Sequence, residues 1–169
     1  MMRCKDMIHI LGNSSHSRLT AVQEGDSQPN AIDLRLDKVY QMNNNEFVID
    51  NDNKKHRGTT EWLPDSEGWY RLNEGVYEVV MENIIHVGVD EAGWVITRST
   101  LNRNGVFITS GLYDSGYHGV MAGALHVRGG PVKIKKGTRV AQFLLFKAEA
   151  LSGYNGSYGL SSDHDKKYT

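Results

Sequence analysis

At 169 residues, with 39% apolar and 23% charged side chains, the chain suits one domain with its own core and is too short for two ordinary ones. A formal net charge of −1 argues against holding duplex nucleic acid by countercharge, and the single cysteine, Cys4, excludes an intrachain disulfide framework and a cysteine-rich metal site. No apolar run nears the roughly 20 residues that span a bilayer, and no leader-like apolar stretch follows the first basic residues. The expected setting is the cytoplasm, with neither membrane nor nucleic acid as partner.

Glycine is plentiful (18) and proline scarce (3), and the glycines punctuate short apolar stretches, the pattern of many short strands joined by tight turns. Ala31-Ile32-Asp33-Leu34-Arg35-Leu36 reads as a strand carrying an acid. Residues 41–68, crowded with Asn, Asp, Lys and Gly, read as an exposed polar excursion, a ragged hairpin inserted in the domain. Gly75–Met81, Val120–Val127 and Val140–Phe146 are rich in β-branched and aromatic residues, and 134–140 reads as strand, glycine turn, strand. The one helical candidate is a short piece near 98–104, with Gly105 as its stop. The spacing thus predicts an all-β domain over 1–153. A C-terminal arm, 154–169, follows, its end frayed but its Tyr154 and Tyr158 poorly suited to idleness.

Several residues in this frame could carry chemistry. A turn bearing Arg98, Ser99, Thr100 and Arg103 could cradle a polyphosphate, since guanidinium forks match phosphate oxygens; it could equally be a capped surface helix with solvated arginines. Asp114, in Gly111-Leu112-Tyr113-Asp114-Ser115-Gly116-Tyr117-His118-Gly119, could take a proton from water, with Tyr117 offering a ring to a sugar; Asp-Ser-Gly is also ordinary turn chemistry. Asp33 lies either on a wet face or near a metal, and Arg139 and Gln142 interrupt an apolar strand with groups that need partners if buried. His9, His16, His56, His86, His118, His126 and His164 show no metal-ligand spacing, which disfavours a transition metal and leaves Mg²⁺ compatible.

Taken in order, these pieces resemble the five motifs of the dUTPase and dCTP deaminase superfamily. Ala31–Leu36 is similar to the first motif, Arg98-Ser99-Thr100-Leu101 to the second and Gly111–Gly119 to the third. Gly137-Thr138-Arg139-Val140-Ala141-Gln142 resembles the fourth and Tyr154-Asn155-Gly156-Ser157-Tyr158-Gly159 the fifth. The form is closest to the compact dUTPases of the deaminase-like branch found in archaea and viruses, so a virus-encoded protein of the host cytoplasm fits as well.

The resemblance implies a distorted jelly-roll or β-barrel, assembled as a homotrimer with active sites between subunits. It makes Asp114 the catalytic aspartate that orients and deprotonates the attacking water. Tyr117 would pack under the deoxyribose, and Arg98, Ser99, Thr100 and Arg103 would bind phosphates, with Gln142 near the α-phosphate or the water. Asp33 would hold Mg²⁺ through water. Tyr158 would close over the base, while Tyr154 takes either a phosphate or a structural role. The hairpin Val106–Tyr113, including Thr109 and Ser110, would read the pyrimidine edge, mostly by backbone groups. The activity implied is hydrolysis of dUTP to dUMP and pyrophosphate with Mg²⁺. The alternatives are a dCTP deaminase, a relaxed dCTP/dUTP pyrophosphatase, or a regulatory binding module without chemistry.

Two departures stand out. The arginine that opens the fifth motif of ordinary dUTPases is missing. The glutamate that deaminases carry ten residues after the aspartate is here Ala124, with no acid in the run Met121–Leu125.

Overall fold

The computed structural model describes residues 15–168 and, before them, only the backbone pairing of Met2–Arg3; Cys4 and His9 lie outside the described residues. The strands are β1 (Met2–Arg3), β2 (Arg18–Leu19), β3 (Ile32–Met42), β4 (Val48–Ile49), β5 (Lys54–Lys55), β6 (Thr59–Trp62) and β7 (Trp69–Leu72). They continue as β8 (Gly75–His86), β9 (Glu91–Thr97), β10 (Val106–Thr109), β11 (His118–Val127), β12 (Val132–Lys135) and β13 (Arg139–Lys147). Helix α1 is a single turn, Ser99–Asn102, and a 3-10 turn, His164–Tyr168, closes the chain. No helix among the described residues is long and apolar enough to cross a membrane.

Six strands make a nearly closed ring. β9 pairs with β13, β13 with β3, β3 with β8, β8 with β11 and β11 with β10, all antiparallel. Between β10 and β9 the ladder is replaced by side-chain hydroxyls. The Ile108 N–H donates to Thr97 Oγ1 at 2.7 Å, which donates to the Ile108 carbonyl at 3.0 Å, and the Val95 N–H donates to Ser110 Oγ at 3.3 Å. A backbone bridge between Gly93 and Tyr113 continues this seam. Register shifts at Leu36/Lys38, Val120/Ala122 and Arg139/Ala141 bend β3, β11 and β13 around the ring, as bulges do. The result is a distorted β-barrel.

The barrel is filled by residues alternating inward from each strand, among them Leu34, Val79, Met121, Leu125 and Phe143, all at most 1% exposed. Gly93 is glycine for a packing reason. A Cβ there would stand 2.3 Å from the Phe143 ring.

Residues 41–68 divide in two. β4 and β5 form an exposed hairpin whose turn is held by Asp50, which accepts the N–H groups of Asp52 and Asn53 at 2.8 and 2.7 Å. β6 instead returns to the barrel and pairs with β3, Trp62 against Val39. The glycine turn near 137 also differs from a simple hairpin, because β12 pairs with β7 rather than with β13.

Through Tyr168 the arm is packed rather than frayed. From Tyr154 the arm lies back along the barrel: the Tyr154 N–H donates to the Ser115 carbonyl at 2.8 Å and the Leu160 N–H to the His118 carbonyl at 3.0 Å. Its close approach depends on Gly119, where a Cβ would meet the Tyr117 hydroxyl at 2.5 Å and Gly159 Cα at 2.7 Å. Tyr168 ends the arm 7% exposed, its ring edge-on to Tyr40 at 5.8 Å. Burial of that aromatic surface is what polar composition alone conceals.

Candidate active site

β3, β13 and the exit of β9 run side by side, so one end of the sheet gathers their polar residues. Asp33 is wholly buried there. Its Oδ1 accepts from Gln142 Nε2 at 3.1 Å, and its Oδ2 lies 3.4 Å from both Arg98 Nε and Arg139 Nη1. Register makes this possible, because Gln142 stands directly opposite Asp33 on one side and Ile96 on the other. One buried carboxylate thus orients two arginines. Arg98 also donates from Nη1 to the Arg139 carbonyl at 3.3 Å, and Arg139 from Nη1 to the Gly25 carbonyl at 2.7 Å, so both forks are held at one edge. Ser99, Thr100 and Arg103 are exposed on and just beyond the single turn of α1.

The resemblance gives Asp33 a metal-bound water; here its Oδ2 faces the two arginines and its Oδ1 accepts from Gln142. Among the described residues no group of three His, Cys, Asp or Glu side chains is placed to hold an ion directly.

The second assembly is built on the loop between β10 and β11. The hairpin is β10–β11, Val106 pairing with Val127 and Thr109 with Ala124, so Val106–Tyr113 is its first strand and part of its loop rather than a hairpin by itself. Asp114 is exposed in that loop and its carboxylate has no partner among the described residues. It borders a cleft of about 570 Å³ shared with Leu112, Phe146 and the segment 148–156. Tyr117 is 6% exposed, its hydroxyl donating to the Val120 carbonyl at 2.9 Å, its ring edge-on to Tyr113 and to Tyr154 at 5.2 Å each. Burial pushes the phenols of Tyr113 and Tyr117 upward, which keeps both protonated.

Above these rings lies a cavity of about 370 Å³ between the loop, the face of β8 and β11, and the arm. Tyr154 and Tyr158 line it, linked by the Tyr158 N–H donating to the Tyr154 hydroxyl at 3.1 Å. Thr109 and Ser110 have structural partners instead: Thr109 Oγ1 pairs with His126 Nε2 at 3.0 Å, and Ser110 closes the barrel seam.

The predicted residues therefore fall into two groups that share no hydrogen bond or ion pair. Tyr113 bridges Gly93 near the start of β9, while Arg98 leaves its end. Five residues of strand, at about 3.3 Å each, put roughly 16 Å between them. Composition and motif order also missed several cavity-lining residues, namely Glu78, His56, His164, Asp165 and Tyr168. For Glu78 a signal existed, an acid inside the apolar run Gly75–Met81, the same signal that singled out Asp33. It pairs directly across β8–β11 with Ala124, so an acid absent from the run 121–125 is supplied by the neighbouring strand.

A family model described as dCTP deaminase-like matches residues 4–148. The chain belongs to the dCTP deaminase-like family. The deoxyuridine 5′-triphosphate nucleotidohydrolase of Methanocaldococcus jannaschii is 30% identical over 159 residues, covering 88% of this chain and 97% of that one. In fold, this dCTP deaminase-like chain is similar to the 2′-deoxycytidine 5′-triphosphate deaminase of Agrobacterium tumefaciens, with a TM-score of 0.60 at 19% identity over 80% of this chain and 45% of that one. The dUTPase from phage phi11 of S. aureus gives a TM-score of 0.53 at 10% identity, over 86% of this chain and 98% of that one. A dCTP deaminase-like barrel is thus the frame for the chemistry.

Proposed function

We propose that this chain hydrolyses dUTP to dUMP and pyrophosphate, as a homotrimer in the cytoplasm, on a substrate that brings its own Mg²⁺ as counterion. The observation that carries the reading is Asp114, exposed and unpartnered beside the tyrosine-walled cavity, in a chain whose archaeal relative bears a dUTP nucleotidohydrolase name. An aspartate free of partners can orient a water and take its proton as the water oxygen bonds to the α-phosphorus and pyrophosphate leaves. Arg98 and Arg139, already oriented by Asp33, bring positive charge to the phosphates without reorganising, while the exposed Arg103 adds charge and Ser99 a hydroxyl donor. No step is assigned to the metal.

A shared site is part of the proposal, because the two residue groups stand at opposite ends of β9. The outer face of the β9–β13 pair supports it: Trp94 (49% exposed) and Phe146 (42%) lie there beside Ile96 and Leu144, an apolar strip suited to a second copy.

Incubation of the chain with each deoxynucleoside triphosphate and Mg²⁺, followed by chromatography, tests the activity. The expected result is dUMP and pyrophosphate from dUTP. The second reading, deamination, is favoured by one observation, the Glu78 carboxylate facing Ala124; its sign is ammonia released from dCTP.

A further inference from the structure

The cavity has three acidic neighbours, and their hydrogen bonds set one apart. Asp114 belongs to the cleft beside it. Asp165 is 6% exposed and both its oxygens are engaged, Oδ2 by the Gly159 N–H at 2.6 Å and Oδ1 by His164 Nδ1 at 3.0 Å. Glu78 is different. Lys167 Nζ at 2.8 Å and the Tyr168 hydroxyl at 2.5 Å, both from the arm, approach the same oxygen, Oε1. Oε2 has no partner among the described residues. The arm thus clamps one oxygen of a half-buried carboxylate on the cavity wall and leaves the other able to accept.

The clamp is itself anchored. The Tyr168 carbonyl accepts from Lys38 Nζ at 2.8 Å and the Lys167 carbonyl from the Tyr40 hydroxyl at 3.1 Å, so the last turn is tied to β3 at two points. The cavity that Glu78 lines has flat walls, the rings of Tyr113, Tyr117, Tyr154 and Tyr158, together with the imidazoles of His56 and His164. Such walls suit a planar heterocycle, and Oε2 can only accept from it when ionised.

On the reading that dUTP is the substrate, we infer that Glu78 is a specificity-determining residue, whose Oε2 accepts the N3–H of a uracil ring held in the tyrosine-walled cavity. Uracil carries a donor at N3. Cytosine carries a lone pair there, which a carboxylate repels. Discrimination by an acceptor that one base satisfies and the other opposes needs no side chain from the β10–β11 hairpin, where the Thr109 hydroxyl pairs with His126 and that of Ser110 closes the barrel seam.

The test compares kcat/KM for dUTP and dCTP in the parent and in Glu78→Gln, whose amide can turn a donor toward N3 of cytosine. The ratio of dUTP to dCTP is expected to fall at least tenfold, within the range of about 10- to 100-fold for a hydrogen bond to a charged group. A ratio within threefold of the parent's overturns the inference. A measurement on the parent alone guards against a misfolded variant: N3-methyl-dUMP should inhibit at least tenfold more weakly than dUMP, and equal inhibition counts against the role. If the parent releases ammonia from dCTP and Glu78→Gln does not, the carboxylate moves a proton and does not read a base, which also overturns it. A parent that turns over neither triphosphate removes the proposed function and this inference with it, an outcome distinct from an active parent with an unmoved ratio.

Discussion

Asp33 and Asp114 are both aspartates in motif-like runs, and their environments divide their work. Asp114 is exposed and free, so its replacement disturbs chemistry rather than folding. Asp114→Asn should retain nucleotide binding and lose about 10²–10⁴-fold in turnover, measured by pyrophosphate release; a rate within threefold of the parent's would remove it as the base. Asp33 is buried against two arginines and a glutamine. Asp33→Asn removes the anion that orients those arginines, and its amide N–H groups face donors. A stability loss of about 1–3 kcal/mol is expected, read as a lower urea midpoint, together with a raised KM for the nucleotide. An unchanged midpoint would show that the buried charge holds nothing in place. Sequence pattern marked both residues through their motif positions. It could not tell that Asp33 meets protein donors on both oxygens, because that depends on Gln142 lying opposite it across β3–β13.

The arm is the element whose behaviour differs most from its composition. Ser152–Thr169 is polar and glycine-rich, yet Tyr154 packs on Tyr117 and Tyr168 on Tyr40. Truncation after Gly153 removes both ring pairs and the roof of the cavity. The barrel should still fold, with about 1–3 kcal/mol less stability by urea denaturation, since each aromatic pair is worth about 0.5–1.5 kcal/mol beyond burial. Turnover should fall at least tenfold with a higher KM, as closure excludes water and completes the site. Full activity in the folded truncation would mean the arm plays no part in catalysis. The arm also meets the exposed β4–β5 hairpin and its exit, Lys54 Nζ donating to Ser157 Oγ at 2.7 Å and the His56 and His164 rings lying tilted at 4.5 Å. The excursion therefore braces the roof, a role that no local pattern of Asn and Lys announces.

For the whole molecule the decisive fact is the roughly 16 Å of β9 that separates Arg98 from the Asp114 loop within one chain. If copies share sites, Arg98→Ala and Asp114→Asn should each be nearly inactive alone. Mixed, dissociated and reassembled, they should regain a measurable fraction of parent turnover, because some hybrid sites unite an intact half from each. No regain in a mixed oligomer verified by sedimentation would place the site within one chain. Amino-acid order alone determined the all-β class, the short helical turn near Arg98 and the family motifs, because strand periodicity, glycine turns and motif spacing are local properties of the chain. Only the tertiary structure decided that hydroxyls of Thr97 and Ser110 close the barrel, that Asp33 serves arginines and that Glu78 stands opposite Ala124. Those outcomes rest on register between strands far apart in sequence, where a shift of one residue would turn each side chain to the opposite face.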